Sequence, residues 1–192
     1  MTREDILKAA YALFEKEGIR ELRMHTIAEK LGLTKPELYG YFDDKRALVS
    51  QSVEYGIQQL DDELAAICCK AANPVEMLIR TAVLSFDRFA KMEWIFIEDV
   101  EYCPAAIDTI HHEQLRIQRQ QPVLFRQAVE EGYMRGEAYY NLLESCFYEN
   151  FMAQSKERDE AMRTLFTVLR GAATEKGWRE VELVRQQMRL EY

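Results

Sequence analysis

A chain of 192 residues, 48% apolar and 30% charged, can bury one good core or two small ones, and with only eight Gly and four Pro it reads as mostly helical, without an alternating β-branched strand. The net charge of −8 excludes a uniformly basic surface, but residues 1–48 hold nine Lys/Arg against nine Asp/Glu, so the sixteen basic and twenty-four acidic residues of the remainder carry the whole excess. No apolar run approaches the roughly 20 residues of a membrane span, no leader-like stretch follows Met1, and Cys68, Cys69, Cys103 and Cys146 lack metal or disulfide spacing, which predicts reduced thiols in a cytoplasmic protein.

Thr2 and Asp5 cap a first helix whose stripe of Ile6, Leu7, Ala10, Leu13 and Phe14 ends at Gly18. Residues 19–23 lead to a helix from Met24 to Leu31, with Ile27, Ala28 and Leu31 at helical spacing and Gly32 as a left-handed stop. Thr34 and Glu37 then make a capping box, in which the hydroxyl takes the N3 amide and the carboxylate returns to the cap amide. Pro36 is tolerated there because the first turn needs no intrahelical donor. Two short helices around a Gly-containing turn form a helix-turn-helix, whose second helix enters the major groove of DNA by its N-terminus. Leu38 and Phe42, four apart, face inward and leave Lys35, Pro36, Glu37, Tyr39, Gly40 and Tyr41 on the rim. Arg20, Arg23, His25, Lys30, Lys35, Lys45 and Arg46 offer local positive charge on an acidic body. Few phosphate contacts follow, and with them a shallow salt dependence.

From Asp43-Asp44 a long helix runs to about Lys70, with Leu48, Val49, Val53, Ile57, Leu60, Leu64 and Ile67 at its three-to-four spacing. Asn73-Pro74 with Glu76 starts the next helix, and an apolar segment from Trp94 to Val100 ends before Cys103-Pro104. Pro104 opens a helix to about Gln120. Pro122 kinks it or starts another to Glu131, before breaks at Gly132 and Gly136. Two further helices are expected at about 138–154 and 159–173, each with a broad apolar face. Residues 171–178 are expected to close the second, and 180–190 to form an extra terminal helix with no assigned role.

The order Ile6-Leu7, Ala9-Ala10, Phe14, Gly18, Ile27-Ala28, Leu31-Gly32-Leu33-Thr34, then Leu38-Tyr39-Gly40-Tyr41-Phe42 with Lys45 and Leu48, resembles the N-terminal domain of TetR-family transcriptional regulators over about the first 48 residues. The resemblance implies an all-α protein: a three-helix DNA-binding domain at 1–48, and a helical effector-binding and dimerisation domain at 49–192. It implies a DNA surface of Arg23, His25, Thr34, Lys35, Pro36, Glu37, Tyr39, Gly40, Tyr41 and Lys45. Lys35, Pro36, Glu37 and Gly40 match positions that face base edges, while Tyr39, Tyr41 and Lys45 match positions that hold the DNA backbone. Lys35 can donate to guanine, and Glu37 can accept from cytosine N4 unless the capping box occupies it. Arg23 stands where the family usually has Thr or Ser, and Gly40 where it often has a large side chain. Readout is therefore expected to rest on Lys35, His25 and groove shape.

By the same resemblance the aromatic-rich middle supplies an effector pocket, with Phe86, Phe89, Trp94, Phe96, Tyr102, Phe125 and Phe151 as candidates for a hydrophobic or aromatic small molecule; ordinary core packing is the competing account of each. Leu142, Phe147, Phe151, Met162, Leu165, Phe166 and Leu169 are the candidates for a twofold four-helix interface. Asp108 with His111 and His112 supplies only one imperfect half of a di-metal motif, and no phosphate loop or nucleophile elbow is present. The expectation is a homodimeric repressor, neither an enzyme nor a cofactor protein, that releases its double-stranded operator when an effector retilts the helix of residues 47–70. Two rivals stand beside it: a helical metal or cofactor enzyme, and a ligand-independent DNA-binding regulator acting with a protein partner.

Overall fold

The computed structural model describes residues 1–89, 94–101, 103–136, 141 and 158–188. Among them the helices are α1 (Arg3–Glu17), α2 (Met24–Lys30), α3 (Lys35–Tyr41), α4 (Lys45–Lys70), α5 (Pro74–Phe89), α6 (Trp94–Glu101), α7 (Pro104–Glu130), α8 (Arg158–Ala172) and α9 (Glu175–Gln187). Apart from residue 141, the expected helix at 138–154 lies outside the described residues. The chain forms two compact units, Met1–Glu63 with Lys91–Leu115, and Leu64–Ala90 with Arg116–Tyr192. The first unit therefore includes α6 as well as the helix-turn-helix, and extends past residue 48.

The first unit is held by the faces that the sequence pattern marks. Ile6, Ala10 and Phe14 of α1, Ile27 and Ala28 of α2, Leu38 of α3 and Phe42 just after it, and Leu48, Val49 and Val53 of α4 close around one core, which also takes in Phe96 and Val100 of α6. Each fully buried apolar side chain of this size contributes about 1.5–3 kcal/mol relative to exposure, enough for three short helices that would not persist alone. Crossing of α1 and α4 is close. A Cβ on Gly56 would lie 2.3 Å from Tyr11 Cζ, and the Tyr11 ring meets Phe96 edge-on at 5.9 Å between centroids.

The second unit buries Val75, Ile79 and Val83 of α5 against Phe125 and Ala128 of α7, Met162, Leu165, Phe166 and Leu169 of α8, and Val181 and Val184 of α9. Asn73 Oδ1 accepts the Glu76 amide at 2.9 Å, and Glu76 Oε2 takes the Ala72 amide at 2.8 Å, so α5 starts where Asn73-Pro74 predicts. One expectation narrows and two change. Pro122 sits inside α7, which continues to Glu130, so of the two readings of this proline a fresh helix start is excluded; the missing amide costs one hydrogen bond without ending the helix. Gly177 and Trp178 do not close a helix: Thr174 caps α9 by accepting from the Gly177 amide at 3.2 Å, so both fall inside α9. The terminal helix has a role, since Val181 and Val184 are core and Glu182 receives Arg170 Nε at 2.6 Å and Arg185 Nε at 3.0 Å.

Met162, Leu165, Phe166 and Leu169 are at most 6% exposed and pack in the second unit's core, on the side of α8 that meets α5 and α9. Among the described residues of α8, Asp159, Glu160, Arg163, Thr167 and Gly171 are the exposed ones. Leu142, Phe147 and Phe151 lie outside the described residues.

Candidate nucleic-acid interface

Local rules build the helix-turn-helix. At the end of α2, Gly32 adopts φ 69°, and the amides of Leu33 and Gly32 donate to the carbonyls of Ala28 (2.8 Å) and Glu29 (3.0 Å). This double closure needs a left-handed residue, which Gly supplies without a Cβ penalty. Two residues on, Thr34 Oγ1 accepts the Glu37 amide at 3.4 Å while Glu37 Oε2 takes the Thr34 amide and the Thr34 hydroxyl, both at 2.7 Å. Those hydrogen bonds, from the Thr34 side chain first and its backbone second, hold the Glu37 carboxyl below the usual glutamate range. Glu37 thus serves the cap through one oxygen, and base recognition by it has to compete with that bond.

Only the inward pair of α3 and its end is covered: Leu38 is fully buried and Phe42 nearly so, whereas Lys35, Pro36, Glu37, Tyr39, Gly40 and Tyr41 are all exposed. The leading end of α3 therefore points into solvent with one ammonium, from Lys35, beside the cap. Lys35 Nζ lies 5.6 Å from the Tyr39 ring centre, one helical turn on, which orients it along the exposed face. Tyr41 Oη donates to the Met1 carbonyl at 3.1 Å, and the Arg3 guanidinium lies 4.9 Å over the Phe42 ring, so the start of the chain rests on the end of α3. No cue in the sequence marked Arg3, whose contacts depend on Phe42 and on Gln51, its acceptor at 2.6 Å.

Arg23 and His25 are exposed at the start of α2, and Arg23 caps it with no side-chain hydrogen bond, as expected where a hydroxyl residue is replaced. His25 Nε2 lies 3.3 Å from Thr26 Oγ1. Lys45 differs from expectation. Its Nζ donates to the Arg20 carbonyl at 3.1 Å, and burial holds its ammonium below the usual lysine range against the opposing fields of Asp99 and Glu21. It stitches the α1–α2 turn as the chain stands.

A solvent-facing helix end bearing a lysine, carried on a second helix through a tight glycine turn, is the geometry that places side chains in a major groove. The sequence profile of the bacterial regulatory proteins of the tetR family matches residues 6–51, from α1 into α4. Residues 6–51 form a TetR-family domain. The chain is 25% identical over 138 residues to the HTH-type transcriptional repressor KstR2 of Mycobacterium tuberculosis, covering 69% of each. It is 33% identical over 89 residues to the class D tetracycline repressor of Escherichia coli, covering 46% of this chain and 39% of that protein. The solved structure of KstR2, described as a ketosteroid transcriptional regulator, matches with a TM-score of 0.67 at 20% identity, over 90% of this chain and 95% of that one. A transcriptional regulator from Saccharomonospora viridis solved with choline matches at 0.74 and 17% identity, over 90% and 97%. The chain is a DNA-binding transcriptional regulator.

The candidate effector residues of this chain divide. Phe125 is buried and Phe86 half-buried in the second unit's core, while Phe96 is buried in the first unit's core against Tyr11, so these three do not share one hydrophobic cluster. The side chains of Phe89, Trp94, Tyr102 and Phe151 lie outside the described ones. Among the described residues two surface depressions are lined by other side chains, one by Glu160, Arg163, Thr164, Thr167 and Val168, the other by Gly132, Thr174, Glu175, Lys176, Arg179 and Glu180. Asp99 is the residue that sequence reasoning missed. It is 5% exposed and accepts from the amides of Ile19 and Arg20 at 2.6 and 2.7 Å. The available signal was an acidic residue between Phe96 and Val100 on the apolar side of a short helix.

Proposed function

We propose that this protein is a homodimeric repressor that binds a double-stranded operator through α3 and releases it when a small hydrophobic or aromatic effector binds the helical body. The observation that carries the DNA-binding part is the exposed leading end of α3, held by the Thr34–Glu37 cap and free of covering side chains from Lys35 to Glu37. Two such ends related by a twofold axis would read half-sites about 34 Å apart, one duplex turn. Arg23, His25, Lys35, Tyr39 and Gly40 are the residues we assign to DNA, and Tyr41 joins them once it leaves the Met1 carbonyl; Lys45 acts through its bond to the Arg20 carbonyl, which holds the turn. Residues of α4, like those of α7, belong to both units, and α4 is the element we assign to carry an effector's action from the second unit to the first, because it follows the helix-turn-helix directly. The relatives described as a ketosteroid regulator and solved with choline support a small organic ligand rather than a macromolecular signal.

Footprinting on the promoter DNA beside the protein's own gene tests the reading, with sedimentation to count protomers per site. Two protomers protecting two half-sites about one turn apart is the expected result. A monomer, or a dimer that protects no sequence over competitor DNA, refutes it. Effector action is tested by titrating steroids, fatty acids and aromatic amines against the preformed complex. An effector that binds tightly yet leaves operator affinity unchanged refutes coupling by differential binding.

A further inference from the structure

We infer that Asp99 is a positioning residue for DNA binding: its carboxylate fixes the turn between α1 and α2, so that the docking of α6 sets the geometry of the DNA-reading helices. The inference rests on the DNA-binding reading above. Two amides of the turn converge on one oxygen. Oδ2 accepts from the amides of Ile19 (2.6 Å) and Arg20 (2.7 Å), which stand eighty and seventy-nine positions away in the sequence. Gly18 makes the approach possible. It takes φ 77°, and a Cβ there would lie 2.7 Å from Asp99 Oδ2 and 2.9 Å from Ile95 Cγ1, so α6 sits against bare backbone. The turn is gripped from its other side as well, where Lys45 at the start of α4 donates to the Arg20 carbonyl at 3.1 Å.

A carboxylate that is 5% exposed pays a large desolvation cost, and two charge-assisted backbone bonds with Arg20 Nε at 3.9 Å from Oδ1 offset it. Such a group adds little net stability compared with an apolar residue. What it adds is direction, since two amides aimed at one oxygen tolerate a single orientation of the turn. Met24, the first residue of α2, follows Arg20 by four positions, and α2 carries α3 through their mutual packing. Loss of the Asp99 contact therefore frees the entry to α2 and, through it, the aim of Lys35. Phe96 and Val100 keep α6 on this surface through the first unit's core, so Asp99 converts a hydrophobic docking into a fixed angle.

The test compares operator affinity of full-length Asp99→Asn and Asp99→Ala with the parent, at a temperature where circular dichroism shows each fully folded. Amide exchange at Ile19 and Arg20 is the second readout. Asparagine keeps a carbonyl oxygen in place of Oδ2, so affinity stays within about threefold and both amides stay protected; alanine removes the acceptor, both amides exchange faster, and affinity falls about tenfold or more. A residue that served stability alone would lower the melting temperature of the alanine variant and leave the folded protein's affinity unchanged. Unchanged affinity in folded Asp99→Ala overturns the inference. If that variant does not fold, Asp99→Glu takes its place, because it keeps the charge and moves the carboxylate; affinity equal to the parent then overturns the inference too. A parent protein that binds no duplex defeats the functional reading instead.

Discussion

Gly56→Ala offers a sign test of the α1–α4 crossing that holds the helix-turn-helix. The new Cβ would stand 2.3, 2.5 and 2.8 Å from Cζ, Cε2 and Cε1 of Tyr11, against about 3.5–4.0 Å for carbons at contact, so a displacement of more than an ångström is required. The clash is with the ring body, and Phe96, 5.9 Å away edge-on, limits where the ring can go. Overpacking of this kind costs about 1–3 kcal/mol, and a clash this deep belongs at the upper end. Alanine in the interior of α4 returns about 1 kcal/mol of helix propensity. The net expectation is destabilisation of the first unit by about 1–2 kcal/mol. In a Tyr11→Ala background the clash disappears and the propensity gain remains, so the same substitution should stabilise by about 1 kcal/mol. The measurement is urea-dependent amide exchange of α1 and α4 peptides in the four chains of the double-mutant cycle, because exchange reports the first unit separately from the second. Stabilisation by Gly56→Ala in the parent background, or the same sign in both backgrounds, would refute the close crossing.

Gly40 is exposed with open space around it, so Gly40→Lys should fold normally, raise operator affinity and steepen log K against log salt by about 0.9 per protomer; a binding loss in mobility-shift titrations would mean that this face does not approach DNA. Lys45→Gln should weaken binding through the loosened Arg20 turn while leaving the salt slope nearly unchanged, and a slope reduced by about one unit would put the ammonium on phosphate instead. The parent protein itself should show a shallow slope, well short of the ten or so contacts of a strongly basic dimer. In the second unit burial pushes Glu182 up, but Arg170 and Arg185 outweigh it and hold it below the usual range, as the Ala72 amide and then Arg80 do for Glu76. Folded values depressed in this way give stability that is complete above the unfolded glutamate pKa and lost as pH falls through the folded value, so urea midpoints should drop below about pH 5, and Glu182→Gln should flatten that drop.

Much of the first unit was legible residue by residue. Thr2, Gly18, Gly32 and Thr34 act on amides and carbonyls within a turn of themselves, as Asn73 does in the second unit, so these consequences are local and the sequence states them directly. The apolar spacing also assigned Leu38 and Phe42 inward and left the rim of α3 outward, as observed. Apolar faces on α8 were equally visible, but a stripe says only that something covers it. Met162, Leu165, Phe166 and Leu169 find that cover in α5 and α9 of the same chain, which no periodicity could distinguish from a second copy. Lys45 and Asp99 mark the same boundary. A charge four residues past a helix-turn-helix reads as a phosphate ligand until the Arg20 carbonyl comes within 3.1 Å, and an aspartate in an apolar segment reads as an exposed one until the fold brings it to two amides some eighty residues earlier. What the sequence by itself determined is where α1 to α5 begin and which side chains they turn inward, because those depend on neighbours along the chain. Which face meets which, and which charge is withdrawn from solvent, was decided only in the tertiary structure, since those energies arise between groups that the chain order keeps far apart.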